Sequence, residues 1–281
     1  MDSRGGAELA KHQDRIGRTI GKDAADGCSW GGTLESSGAW RPRLDRHEVT
    51  NRDFKRFLDR GGYETEWLWD GVLGFGSAWQ SRIAGFVDQT GKPGPRNWQN
   101  GNYPAGMGDL PVTGICWAEA VAYARLFEKR LPTIRHWNHA CGHEFTAVIL
   151  PKSNIDGQGL VRVGKTGSVG PYGTHDMLGN ASEWCFNSYG DHDRTIGGRS
   201  FRGPSYGTRA GTPLEATLRE PFVGFRCVKY IGTIDPTLYA GLARGTTVKF
   251  DGRQPVSDRE FEIIRRLYDY NEHKPLDERF E

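Results

Sequence analysis

Tyr172-Gly-Thr-His-Asp176-Met-Leu-Gly179-Asn180-Ala181-Ser-Glu183-Trp184 gathers two carboxylates, an amide and two glycines around one turn. Hard oxygen donors on a turn suit calcium, which takes about 6–8 oxygen ligands and accepts backbone carbonyls among them. The same residues also read as a plain Asx turn, because Asp and Asn before Gly hydrogen-bond their own backbone. Either way the stretch is a bent, polar connection, and it sets the expectation of a fold built on loops.

Upstream, Trp117 to about Glu128 carries Val121, Ala124 and Phe127 at helical spacing, and Lys129-Arg-Leu-Pro-Thr133 turns the chain into a further helix from Ile134. That second helix holds His136, His139, Cys141 and His143, which a zinc site could use. Ile134, Trp137 and Cys141 mark its buried stripe, which places the histidines on the wet side and favours a plain amphipathic helix. An earlier helix is expected over Thr50 to Arg60, with Thr50 as cap, Asp53 at the third position and Phe54, Phe57 and Leu58 on one face. Between them, residues 63–114 are dense in Gly, Pro and Asn, with Trp67, Trp69, Trp79 and Trp98 available to pack an irregular insertion down. Downstream, short strands are expected at Val161 to Val163, Thr195 to Phe201 and Gly224 to Tyr230. Ser257-Asp-Arg-Glu260 reads as a capping box for a helix to about Tyr270.

Composition agrees. The 281 residues include 39 Gly, 14 Pro and 9 Trp, too many turn formers and indoles for a helical bundle, so the fold class is α+β and loop-rich. Lys and Arg total 37 against 35 Asp and Glu, a net charge of +2, which argues against a nucleic-acid groove or an anionic membrane surface as partner. No apolar run approaches the roughly 20 residues of a spanning helix, and the start MDSRGGAELAKHQDR lacks the core of a secretory signal. The default compartment is the cytoplasm, with export requiring sequence upstream. Cys28, Cys116, Cys141, Cys185 and Cys227 form no C-x-x-C pair and read as reduced thiols. No nucleophile elbow, P-loop or dinucleotide fingerprint is present.

Taken in order, Glu48-Val-Thr-Asn-Arg-Asp-Phe54, Leu110-Pro-Val-Thr-Gly-Ile-Cys-Trp117, Lys129-Arg-Leu-Pro-Thr133 with Trp137, Tyr172 to Trp184, Gly197-Gly198 and Gly224-Phe-Arg226 resemble the formylglycine-generating enzyme (sulfatase-modifying factor) family. The resemblance spans about residues 44–230 and implies a variant of the C-type lectin fold. Residues 1–43 are then a poorly defined leader, in which Gly31-Gly-Thr-Leu34 faintly echoes the family's opening strand, and 231–281 a linker and helix. Thr133-Ile134, His136-Trp137, Thr90 to Pro95 and Gly224 to Tyr230 resemble the bacterial copies attached to Ser/Thr protein kinases, some of which continue into a hydrolase-like domain. A kinase domain is thus an implied neighbour, although this chain has no kinase motif of its own.

The resemblance also assigns residues. Asp176 and Glu183 match side-chain ligands of a structural calcium ion, Gly179 and Ala181 its backbone ligands, whereas a second calcium site retains only Asn154-Ile155. Formylglycine generators hold copper with two cysteines just beyond Gly197-Gly198, and soft thiolates suit Cu(I). Here Arg202 and Gly207 stand at those positions, so copper and cysteine oxidation are not expected. The expected function is a non-catalytic binding or regulatory module with a groove near Arg202, Tyr206 and Gly207 for a peptide or small molecule. The alternative is a metal-dependent oxidoreductase with a rearranged site using His192, Cys185 or Cys227.

Overall fold

The computed structural model describes residues 27–29, 41–142, 146–155, 157, 159–203, 211–232, 234–242, 257–259 and 261–262. The elements in chain order are β1 (Gly27–Ser29), β2 (Arg41–Asp45), α1 (Asn51–Asp59), α2 (Trp79–Ile83), α3 (Trp117–Leu126), α4 (Ile134–Cys141), α5 (Thr146–Ile149), β3 (Ser182–Tyr189), β4 (Asp193–Gly197), β5 (Thr212–Glu215), β6 (Val223–Gly224) and β7 (Val228–Ile231). They form an antiparallel sheet of order β1-β2-β7 and a mixed sheet of order β5-β4-β3-β6, in which only the β3–β6 pair is parallel. The α+β, loop-rich class is as expected. Residues 1–243 make one compact unit; of the second, 244–281, the described residues show the start of a helical turn in which Phe261 N–H donates to Ser257 O.

Local sequence explains the helices. Thr50 and Asp53 close a reciprocal capping box on α1, and Phe54 and Phe57 turn from it into the core. Helix α3 is buried on nearly every side because Ala118, Ala120, Ala122 and Ala124 leave room for close neighbours. Its one carboxylate, Glu119, is saturated: Cys116 N–H, the Tyr63 hydroxyl and the Arg219 guanidinium all donate to it. Thr133 caps α4, and Gly142 ends it in the left-handed region.

Two apolar clusters result. The larger joins α1, α3 and the 63–114 insertion through Phe54, Phe57, Trp69, Trp98, Tyr123 and Phe225. Phe54 stacks on Tyr123 with ring centroids 5.7 Å apart. The insertion is therefore packed down by its own tryptophans as expected, except Trp67, which stays 39% exposed. The smaller cluster joins β2, α4 and the 177–185 segment through Leu44, Trp137, Met177, Leu178 and Val228.

Several expectations need correction. Residues 41–43 are not a structureless leader: they begin β2, which pairs with β7 from Arg41↔Ile231 to Leu44↔Val228. The first strand lies at Gly27–Ser29, while Gly31 to Leu34 fall outside the described residues. Val161 to Val163 is a loop, because its N–H groups are taken by Asn180 Oδ1 and Asp109 O instead of by a neighbouring strand. Gly224 to Tyr230 is two strands, since Phe225 and Arg226 turn inward between them. The proposed helix beyond Phe261 lies almost wholly outside the described residues.

Candidate functional site

The site is assembled by the 164–184 segment closing over the ends of β2 and β6. Asp176 sits at φ +57 and is fully buried; its carboxylate accepts from Gly164 N–H at 2.6 Å and from the Thr166 hydroxyl. Gly179 at φ +89 lies on the Asn154 peptide so closely that a Cβ would come 2.6 Å from the Asn154 carbonyl oxygen. Only glycine permits that approach. Asn180, also left-handed, binds three segments at once: its Nδ2 donates to Glu48 Oε1 and Val161 O, and its Oδ1 accepts from Val161 N–H and Asn154 Nδ2.

Glu183 and Arg226 occupy the centre. Arg226 Nη2 and Nε donate to the two Glu183 oxygens at 2.6 and 2.7 Å, and Trp137 Nε1 donates to Oε2 at 2.8 Å. The remaining guanidinium hydrogens go to the carbonyls of Asp45, Arg46 and His175, so all five donors are used. Burial opposes the charge on Arg226, but Glu183, then Glu48 and Asp176, hold its proton more firmly than usual. Glu48 goes the other way: burial first, then the Asp176 charge, pushes its carboxyl well above the ordinary range, and its Oε2 has no hydrogen-bond partner. Three buried carboxylates thus face one guanidinium.

Of the residues expected to hold calcium, Asp176, Gly179, Ala181 and Glu183 lie together on this segment. Both Glu183 oxygens, however, are committed to Arg226 and Trp137, and no group of three or more His, Cys, Asp or Glu among the described residues is arranged to hold a metal ion. The carboxylate excess fits a cation, while the donor orientation at Glu183 does not. Asn154, a remnant of the family's second calcium site, which was not expected here, serves as the shelf under Gly179.

The zinc reading of α4 also changes. His136 is not on the wet side: it is 2% exposed, and its Nδ1 meets Thr133 Oγ1 and the Tyr230 hydroxyl. Burial, then the neighbouring His139 and Arg135 charges, lowers its pKa to about 4. His139 stacks on Tyr172, and His143 lies outside the described residues. The amphipathic count misplaced His136 because Tyr230 gives its ring nitrogen a partner inside.

At the groove, Arg202 is exposed and lies over the rings of Phe201 and Phe222, 5.7 and 5.5 Å from their centroids. Tyr206 and Gly207 fall outside the described residues. The residues of the oxidoreductase alternative do not converge. Cys185 belongs to the smaller core cluster and Cys227 to the larger, and His192 is exposed in the turn between β3 and β4. Burial raises the pKa of both thiols well above normal, and that of Cys141 to about 12. The four cysteines with described side chains are unpaired, buried thiols.

In the sequence Glu48 and Arg226 stand only as letters of the Glu48–Phe54 and Gly224–Arg226 motifs. The signal that could have found their role is a lone Arg between apolar residues, Gly224-Phe-Arg-Cys-Val228, which demands a buried carboxylate elsewhere.

Mouse inactive C-alpha-formylglycine-generating enzyme 2 is 27% identical over 265 residues, covering 76% of this chain and 83% of that protein. The serine/threonine-protein kinase pkn1 of Chlamydia caviae is 28% identical over 158 residues, 52% of this chain but only 23% of the kinase, so the chain spans about a quarter of that relative. Among solved structures, Treponema denticola variable protein 1 aligns with a TM-score of 0.47 at 15% identity, over 67% of this chain and 84% of that one. Residues 42–156 and 151–231 match the sulfatase-modifying factor enzyme 1-like domain, and the chain belongs to that family.

Proposed function

We propose that the chain is a non-catalytic binding or regulatory module that presents its groove to a peptide or small molecule in association with a Ser/Thr kinase domain. The observation that carries the reading is Arg202. It stands where the family resemblance calls for the first copper-binding cysteine, and it lies on Phe201 and Phe222 as a cationic platform. Such a surface binds anionic or aromatic groups and offers no thiolate to Cu(I). The likeness to a protein named as inactive and to part of a kinase supports the same reading. Among the described residues, no helix is long and apolar enough to cross a membrane.

Calcium enters the proposal as a structural ion of the 176–183 loop, held by Asp176, Gly179, Ala181 and Glu183. The excess of buried carboxylate over guanidinium supports it, and the Glu183–Arg226 pair competes with it.

The test is elemental analysis of the purified chain together with incubation against a sulfatase-type cysteine peptide. The expected result is neither stoichiometric copper or iron nor an aldehyde on the peptide. Formylglycine formation by the unmodified protein would overturn the reading in favour of the oxidoreductase.

A further inference from the structure

Strand β7 forms one side of the β1-β2-β7 sheet, and among the described residues its outer edge is only half covered. Asp45 N–H bonds to Cys227 O, and β2 faces β7 through Arg43↔Lys229 and Arg41↔Ile231. In an antiparallel ladder the intervening residues, Val228 and Tyr230, turn their backbone N–H and C=O groups outward. Val228 is satisfied there by Arg130, with exchanged bonds of 2.8 and 2.9 Å. Two residues along, the same register brings Glu128 opposite Tyr230, but at Glu128 the chain has already bent into the end of α3. Glu128 has φ +53, and its N–H returns to Arg125 O. The outward groups of Tyr230 therefore open onto a concavity of about 370 Å³ where a paired strand would otherwise continue.

The walls of this concavity have a definite chemistry. Among the described residues, Arg125, Lys129, Arg130 and Glu128 line it; the Lys129 ammonium is taken by Asp45 at 2.7 and 2.8 Å, which leaves the two arginines as its cationic walls. Arg125 is anchored there by donating from Nη1 to the carbonyls of Leu68 and Asp70. Trp67 adds an exposed indole on the rim, and Ile231, at the end of the strand, is 44% exposed. An open strand edge is a template for another strand, and proteins usually block such edges. Among the described residues, the edge is left open here beside a cationic, partly apolar wall.

We propose that the β7 edge at Tyr230 receives an extended acidic segment of another protein as an added strand. Tyr230 supplies the main-chain pairing, Arg125 and Arg130 select acidic side chains, and Trp67 covers an apolar one. A second copy of this chain is a poor occupant, because pairing two β7 edges would bring two sets of these arginines face to face. The surface is separate from the groove at Arg202, so its failure leaves the functional reading untouched.

The experiment titrates the intact chain into a fluorescein-labelled peptide, Thr-Val-Asp-Val-Glu-Val-Thr. Two controls accompany it: one with Lys at both acidic positions and one N-methylated at the central valine. Saturable binding is expected for the acidic peptide, weakened about tenfold or more in each control, because one loses charge complementarity and the other a main-chain donor. Arg130→Glu, with an unchanged melting temperature as its folding control, should weaken binding about fivefold or more. Hydrogen exchange at the Tyr230 amide should slow about tenfold or more on saturation. Absence of saturable binding overturns the proposal, as does binding that leaves Tyr230 exchange unchanged. So does a Tyr230 amide already protected in the peptide-free chain, or protected by a concentration-dependent dimer.

Discussion

Arg226 and Glu183 meet in a two-point ion pair, with N–O distances of 2.6 and 2.7 Å, and both side chains are shut off from water. Because the guanidinium also ties down three carbonyls, the pair joins the end of β2, His175, the start of β3 and the link between β6 and β7 in one knot. Truncating one partner strands the other charge in a medium that cannot solvate it. Arg226→Met should therefore cost about 3–5 kcal/mol of stability, measured by urea unfolding. The double variant Arg226→Met/Glu183→Leu should recover part of that loss, and a double variant no better than the single one would contradict it.

The calcium proposal and the ion pair separate in one set of melts. Glu183→Ala should lower stability by about 3 kcal/mol or more with calcium or with chelator, because Arg226 loses its partner in both. The parent chain should melt higher in calcium than in chelator if the 176–183 loop binds the ion. Identical melting of the parent in the two buffers removes calcium from the proposal and leaves the pair intact.

Glu48 gives a pH signature. Its folded pKa lies above its unfolded value, so its contribution is fully present at acid pH, below the unfolded carboxylate range, and is lost as pH rises through the raised value. Glu48→Gln keeps the Asn180 contact through the amide oxygen and removes the charge. In chelator at pH 8 it should equal or exceed the parent in stability, and at pH 4 it should give no advantage. A variant destabilised more at pH 8 than at pH 4 would show that Glu48 is needed as an anion.

His136 has the opposite sense. Its pKa of about 4 lies below the ordinary value of 6.5, so stability from the neutral ring is complete above about pH 6.5 and is lost as pH falls towards 4. The full shift corresponds to about 3 kcal/mol, since one pKa unit is about 1.4 kcal/mol. His136→Gln should flatten this part of the profile between pH 7 and 4.5, and comparison with the parent cancels the contributions of Glu48 and Asp45. A slope unchanged by the substitution would place the proton elsewhere.

Restoring the copper positions tests how far the groove has diverged. Arg202→Cys/Gly207→Cys should bind Cu(I) weakly and leave a sulfatase-type cysteine peptide unoxidised, because two thiolates must oppose each other and Pro204, between them in sequence, restricts the backbone that would bring them together. Formylglycine on the peptide would show that the scaffold still presents catalytic geometry.

Much of the helical frame was legible in the sequence because its signals are local. Thr50 with Asp53, Thr133 and Gly142 each mark a helix end within a few residues. The strands were harder to read: β6 has two residues, and β7 takes its partners from β2 and Arg130, nearly a hundred residues away or more. The site was half legible for the same reason. Asp176, Gly179 and Glu183 stand out as polar letters in one stretch, but nothing near Glu48 says that it shares a buried space with Asp176 and Arg226. His136 was misplaced because a helical wheel sees the spacing of α4 and not the Tyr230 hydroxyl that lets a ring nitrogen go inside.

Arg219 donates to the carbonyls of Val87 and Gly94 and holds both oxygens of Glu119. The tryptophan-rich insertion is thus latched by a residue synthesised more than a hundred positions after it. During translation, residues 63–114 emerge with their indoles and no latch, and must wait for a distant arginine before their backbone acceptors are met. Contacts of such long sequence separation are made late and leave apolar surface open in the meantime. A chain ended before residue 219 would therefore lack the latch and leave Glu119 and the Val87 and Gly94 carbonyls without their shared partner.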